Sequence, residues 1–187
     1  PDWGIACLER AAQGLTATTA VHICYGYGIK ANIDWKATLG EEWRHYEQTF
    51  PAIAKSSIQQ VSLECRNSKV PLDLIKLLDG KDVLAGAIDV ASNTVETPEE
   101  VAATIRAALA FVAPEKLFPC TNCGMAPMLA EVAYGKLAAL SAGAAAPLTA
   151  ASTPPHPRFR RSRSVRSTTP PSQSPTRSHS PRTSRAA

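Results

Sequence analysis

The chain has 187 residues, of which 44% are hydrophobic, so it can bury the core of one domain of ordinary size. All 16 acidic residues lie at or before Glu131 and eight of the 20 basic residues fall within residues 151–187, so the overall charge of +4 comes from the C-terminal segment. No apolar run approaches the length of a transmembrane helix, so no membrane span is predicted.

The hydrophobic pattern predicts helices and strands in alternation. The sequence opens with proline and enters helical register at once, with Trp3, Cys7 and Leu8 near one face, so we expect a fragment of a longer protein. The predicted strands cover residues 18–26, 58–64, 82–90 and 116–122, and the predicted helices that follow them cover residues 41–55, 70–80, 97–112 and 126–142. The third of these helices has the clearest start, because Thr97 is a good N-cap residue and Pro98 suits the first helical position.

Strands and helices that alternate with short connections indicate parallel βα units. The strands are apolar along their length, as expected of strands covered on both faces. Four such units make the C-terminal half of a (βα)8 TIM-type barrel, and a small doubly wound sheet is the competing α/β architecture. The first domain is predicted to cover residues 1–146.

Five cysteines occur in the first 125 residues, without a secretory signal. An odd number of cysteines in such a chain indicates reduced thiols and a cytoplasmic protein. Three of the cysteines are not predicted to be metal ligands. Cys7 and Cys65 are expected to be structural, and Cys120 is either a core residue or a second thiol beside a site. Gly26 and Gly28 lack the rest of a dinucleotide loop, so they predict a turn.

Candidate metal ligands stand at the ends of the predicted strands. His22 and Cys24 are two residues apart on the first strand and would point to one face, although a packed cysteine beside a satisfied histidine gives the same pattern. Glu64 ends the second strand and Cys123 follows the fourth. Because the carboxyl ends of parallel strands converge, these four residues could form a tetrahedral zinc site. Asp89, near the end of the third strand, either orders a group beside the site or caps the following loop.

The segments VHICYG, SLECRNS, AGAIDVASNTVETPEEV and TNCGMAP occur in this order and resemble the C-terminal catalytic barrel of the cobalamin-independent methionine synthases. The short, single-barrel form of that family is the more similar, and the resemblance covers about residues 1–143. It implies a (βα)8 barrel and a catalytic Zn²⁺ held by His22, Cys24, Glu64 and Cys123. It also implies that homocysteine accepts a methyl group from methyltetrahydrofolate or methylcobalamin to give methionine.

The charge of this ligand set agrees with alkyl transfer. Two cysteinates and one carboxylate leave the zinc site with a formal charge of −1, which disfavours splitting water and leaves a substrate sulfur nucleophilic.

The chain departs from the family at three places. Ala91 occupies the position of a histidine that long-form members are thought to use as proton donor to the departing folate, which puts methyl-folate in doubt and is compatible with a methyl-corrinoid donor. Asn122 replaces the acidic residue usual before the cysteine. The strands that supply most homocysteine contacts in the family precede this segment, so no homocysteine-binding residue is assigned, and we expect the chain alone to be weakly active or inactive.

The competing hypotheses come from two other motifs. Pro119, Cys120 and Cys123 match half of a zinc deaminase motif, but residues 22–24 lack the glutamate of its other half. Residues 147–187 form a low-complexity Arg/Ser/Pro tail that cannot bury a core and is predicted to be disordered. Such a tail could make the chain a non-enzymatic protein that binds nucleic acid or acidic partners. We favour out-of-frame translation beyond about residue 144 as its origin.

Overall fold

A computed structural model describes residues 2–146, which form an α/β fold around a four-stranded parallel sheet. The helices are α1 (Asp2–Ala12), α2 (Lys30–Ala37), α3 (Phe50–Ala54), α4 (Pro98–Ala108) and α5 (Ala130–Ala145). The strands are β1 (Ala20–Ile23), β2 (Gln60–Glu64), β3 (Asp82–Ile88) and β4 (Leu117–Thr121). Three short 3₁₀ segments, His45–Gln48, Leu72–Leu78 and Pro114–Lys116, complete the fold.

The strands lie in the sheet in chain order, β1-β2-β3-β4, and each neighbouring pair is parallel. Each crossover therefore returns the chain to the same edge, which brings the carboxyl ends of all four strands together. Within residues 2–146, β1 and β4 each pair with a single neighbour. The ladder between β3 and β4 is irregular at one place, where the register shifts between Gly86 and Ile88.

The two faces of the sheet differ in burial. Val61 on β2 and Val83 on β3 are almost fully buried on the helical face, where they belong to one hydrophobic core with Phe50, Ile105 and Leu78. On the opposite face His22 is exposed and Phe118 keeps 44% of its surface accessible. One face is thus packed against helices, while the other remains partly open.

Helix α4 begins where the sequence predicted. The Thr97 hydroxyl accepts a hydrogen bond from the Glu100 N–H, and the Glu100 carboxylate accepts one from the Thr97 N–H, so the two residues form a capping box. Pro98 occupies the first turn, where its missing N–H costs nothing. The prediction of this helix start is confirmed.

Two helix predictions need correction. The helix predicted over residues 41–55 is wrong as a single element, because Pro51 stands in the first turn of α3 and starts that helix instead of lying near the end of a longer one. Helix α2, Lys30–Ala37, was not predicted, since it buries no residue and so lacks an amphipathic pattern. The helix predicted over residues 70–80 is a 3₁₀ segment.

The predicted tail, residues 147–187, lies outside the described residues. None of the helices within residues 2–146 has the length and apolarity needed to cross a membrane.

Candidate metal centre

Three potential metal ligands meet at the carboxyl ends of β1 and β4. The ligand atoms of His22, Cys24 and Cys123 all lie within 4.8 Å of one another. His22 is in β1, Cys24 follows the last residue of that strand, and Cys123 follows β4 by two residues. These side chains come from the two outer strands of the sheet, so the twist and curvature of the sheet bring together residues 99 positions apart in sequence.

The spacing of the two sulfurs suits zinc. Cys24 Sγ lies 4.0 Å from Cys123 Sγ, and both cysteines are free thiols. Two thiolates bound to one zinc at about 2.3 Å with tetrahedral angles are roughly 3.8 Å apart. The donor set of one imidazole and two thiols is typical of zinc and excludes the oxygen-loving cations calcium and magnesium.

The His22 imidazole forms a hydrogen bond with a residue of the neighbouring strand. Its Nδ1 lies 3.0 Å from Ser62 Oγ on β2, which is the residue paired with His22 in the strand register. Ser62 Oγ in turn lies 3.9 Å from Cys120 Sγ on β4. A hydrogen bond at Nδ1 fixes the plane of the ring and leaves Nε2 as the free donor atom for a metal.

Glu64 lies beside this group but is not part of it. Its carboxylate is buried and accepts two hydrogen bonds, from the Tyr25 N–H at 3.1 Å and from the Tyr27 hydroxyl at 2.5 Å. Both donors belong to the chain that leaves β1, so the carboxylate at the end of β2 is held against the residues following Cys24. A buried carboxylate in this position adds negative charge next to the thiols.

The environment raises the pKa of the Cys24 thiol and of the Tyr27 phenol, which favours their protonated forms. Burial raises the pKa of the Cys24 thiol, and the neighbouring Cys123 and Glu64 raise it further. Burial also raises the pKa of Tyr27, and its hydrogen bond to Glu64 acts in the same direction. A divalent cation would offset this negative potential, which is the electrostatic reason to expect a metal here.

The other residues singled out in the sequence have identifiable structural roles. The Asp89 carboxylate accepts hydrogen bonds from the Ala91 N–H at 2.8 Å and from Asn67 Nδ2 at 3.0 Å, so it caps the loop that follows β3. Cys7 is exposed on α1, whereas Cys65 and Cys120 are partly buried.

The predicted turn is present. Gly26 and Gly28 have φ angles of 76° and 78°, and a Cβ on Gly26 would lie 2.5 Å from Asn32 Nδ2.

The residues that orient the candidate ligands are not among those predicted from the sequence. Ser62 carries a recognisable signal, because it precedes Glu64 by two residues and so shares a face of β2 with it. Its pairing with His22 depends on the strand register, which the pattern of apolar residues does not specify. Tyr27 lies in a glycine-rich turn and gave no signal of its contact with Glu64.

Comparisons with known proteins agree with this geometry. The family model described as "Cobalamin-independent synthase, Catalytic domain" matches residues 14–146. A methionine synthase of Saccharolobus islandicus (strain Y.G.57.14 / Yellowstone #1) is 31% identical over 145 residues, which are 76% of this chain and 38% of that protein. A methionine synthase of Sulfurisphaera tokodaii is 26% identical over 137 residues, covering 73% of this chain and 35% of that protein.

A solved structure is also similar. It is a B12-independent methionine synthase from Shewanella sp. W3-18-1 in complex with selenomethionine, 66% identical in sequence, with a TM-score of 0.73. The match covers 76% of this chain and 42% of that protein. The chain therefore spans about two fifths of the length of the relatives it matches.

Proposed function

Because the chain belongs to the family of cobalamin-independent synthase catalytic domains, we propose that it is the zinc-binding part of an enzyme that methylates the homocysteine thiol to give methionine. The relatives of similar sequence are methionine synthases, which supports the substrate and the product. The observation that carries the proposal is the meeting of His22, Cys24 and Cys123 within 4.8 Å at the carboxyl edge of the sheet.

The fold proposed for the whole enzyme is a (βα)8 barrel, of which residues 1–146 form the C-terminal half. The strand order supports this, because it runs in chain sequence without the reversal that defines a doubly wound sheet. The exposed face that carries His22 and Phe118 also supports it, since the inner face of a barrel is covered only when the barrel is closed.

The proposed zinc ligands are the three clustered residues His22, Cys24 and Cys123 together with Glu64, which hydrogen-bonds to Tyr25 and Tyr27 beside them and is proposed as the fourth ligand. The donor set fits the metal, as judged from the two sulfurs 4.0 Å apart and the imidazole beside them. Bound zinc would lower the pKa of a substrate thiol, so that its sulfur is a deprotonated nucleophile at neutral pH. A cytoplasmic location is part of the proposal, because the ligand thiols must remain reduced.

The chain's own residues contribute orientation and charge. Ser62 holds the His22 ring through Nδ1, and Tyr27 and the Tyr25 N–H hold the Glu64 carboxylate. With both thiols deprotonated, Cys24, Cys123 and Glu64 carry three negative charges around one divalent ion. This excess of negative charge would make the zinc a poor Lewis acid for activating water. It would also keep a bound substrate thiolate nucleophilic.

The proposed methyl donor is methyltetrahydrofolate or a methyl-corrinoid, and Ala91 favours the corrinoid. Ala91 stands where the resemblance implies a histidine in the enzymes that use methyltetrahydrofolate, and an alanine cannot protonate a departing folate nitrogen. A methyl-corrinoid needs no such proton, because the corrinoid leaves with the electron pair of the carbon–cobalt bond.

The experiment joins the zinc-loaded chain to the N-terminal half of a family barrel and measures methionine formed from homocysteine with either methylcobalamin or methyltetrahydrofolate, with homoserine in place of homocysteine as the matched control. We expect methionine from methylcobalamin only, and none when Cys123 is replaced by serine. Absence of methionine with both donors in this completed barrel would refute the proposed activity, and an equal yield with the folate would refute the preference for the corrinoid. Family membership already disfavours the alternative of a non-enzymatic nucleic-acid-binding protein.

A further inference from the structure

Asn122 makes side-chain hydrogen bonds that join two strands which are not neighbours. It lies between the end of β4 and Cys123, and only 1% of its surface is exposed. Its Oδ1 accepts hydrogen bonds from the N–H groups of Cys65 at 3.1 Å and Arg66 at 3.2 Å. Its Nδ2 donates to the carbonyl oxygen of Arg66 at 2.7 Å. Both hydrogen-bonding ends of the amide are therefore used by the two residues that follow Glu64.

Strand β3, which lies between β2 and β4, passes very close to the Asn122 side chain. β3 separates β2 from β4 in the sheet, and a Cβ on Gly86 of β3 would lie 2.5 Å from Asn122 Oδ1 and 2.6 Å from the carbonyl oxygen of Leu63. Glycine at this position leaves the space through which the Asn122 side chain reaches β2.

The backbone hydrogen bonds at this edge of the sheet run through β3, because the Cys65 and Arg66 N–H groups also donate to the Gly86 carbonyl oxygen, at 3.2 and 2.9 Å. The β3–β4 register shifts between Gly86 and Ile88, at the level of the candidate metal centre. An irregular ladder re-aims the residues that follow it. Beyond the shift, the Asn122 N–H donates to the Ile88 carbonyl oxygen at 2.9 Å, and the three side-chain hydrogen bonds of Asn122 are the direct link to the end of β2.

We propose that Asn122 is the positioning residue that sets Cys123 at the right distance from Glu64 for both to bind one zinc ion. This inference rests on the proposed zinc site. The three side-chain hydrogen bonds between Asn122 and residues 65–66 are called the clasp below. Glu64 directly precedes Cys65, and Cys123 directly follows Asn122, so a shift at the clasp moves both ligands. Hydrogen bonds behind metal ligands are worth about 10- to 100-fold in metal affinity.

The amide has two separable functions in this clasp. Aspartate keeps an acceptor for the two N–H groups but cannot donate to the Arg66 carbonyl oxygen, whereas alanine loses both. Asn122→Asp should therefore preserve most of the positioning, and Asn122→Ala should abolish it.

The experiment determines the zinc dissociation constant of the full 187-residue chain by competition with a chromophoric chelator. The Asn122→Ala variant is expected to bind zinc roughly 10- to 100-fold more weakly, and Asn122→Asp less than about tenfold more weakly. The absorption spectrum of the Co²⁺-substituted chain reports ligand geometry, and we expect it to change in the alanine variant. Ile105→Val, in α4 and away from the clasp, controls for lost stability and should leave both measurements unchanged.

The outcomes are distinguishable. If wild type and Asn122→Ala have the same dissociation constant and cobalt spectrum, Asn122 is not a positioning residue. If Ile105→Val weakens zinc as much as Asn122→Ala at an equal loss of melting temperature, the effect is general destabilisation and the inference fails. Failure of the wild type itself to bind zinc would instead contradict the proposed function.

Discussion

Replacing Lys136 by methionine tests the buried ion pair that attaches α5 to the loop after β3. Lys136 is fully buried, and its Nζ donates to both carboxylate oxygens of Glu96, at 3.0 and 3.1 Å, and to the carbonyl oxygens of Asp89 and Thr94, at 2.9 and 2.6 Å. Methionine matches the volume of lysine but leaves the Glu96 carboxylate, 7% exposed, with the Asp89 N–H as its remaining donor. Removing one partner of such a pair costs about 3–5 kcal/mol.

This cost should appear in chemical and thermal unfolding followed by far-ultraviolet circular dichroism. A domain of this size loses about 2–4 °C in melting temperature per kcal/mol, so the expected decrease is roughly 6–20 °C. The control is the double variant Lys136→Met with Glu96→Gln, which removes the isolated charge while keeping an acceptor for the Asp89 N–H. It should recover at least about 1–2 kcal/mol. A single variant within about 1 kcal/mol of the wild type, or a double variant no more stable than the single one, would show that the Lys136–Glu96 pair does not hold α5 in this way.

Three further variants or reactions probe the site and the fold. Ser62→Ala removes the partner of His22 Nδ1 and should weaken zinc binding about tenfold in a chelator competition, while Ser62→Thr, which keeps the hydroxyl, should not. Burial raises the pKa of Cys65 to about 12, so at mildly alkaline pH iodoacetamide should modify exposed Cys7 far faster, as read by peptide mass spectrometry; equal rates would contradict the burial of Cys65. Thr97→Ala removes the α4 cap and should cost about 1 kcal/mol in urea unfolding, and Thr97→Ser should restore it.

The parallel sheet could be predicted because each strand is a short apolar run that is visible in the local sequence. The four apolar runs, separated by turn residues and helices, placed β1 to β4 within a few residues of their observed bounds. Helix α2 could not be found in this way, since it packs no residue into the core. The segment after α2 begins a new helix with Pro51 in its first turn, because proline suits the first turn of a helix, whereas the predicted helix runs through this residue.

The sequence predicts the candidate ligands of the site but not the residues that orient them. His22, Cys24, Glu64 and Cys123 could be proposed because they stand at strand ends, where parallel strands converge. The orienting contacts of Ser62 depend on the register between strands, which no local pattern encodes. The role of Asn122 depends in addition on an irregularity between β3 and β4, which sequence periodicity does not reveal.

The zinc content of the purified, reduced chain can be measured by inductively coupled plasma mass spectrometry together with protein concentration. We expect about one zinc per chain for the wild type and for Cys7→Ser, whose side chain is exposed on α1, and nearly none for Cys24→Ser or Cys123→Ser. A wild type without zinc after reconstitution, or serine variants of Cys24 and Cys123 that keep it, would show that these side chains do not form a zinc site.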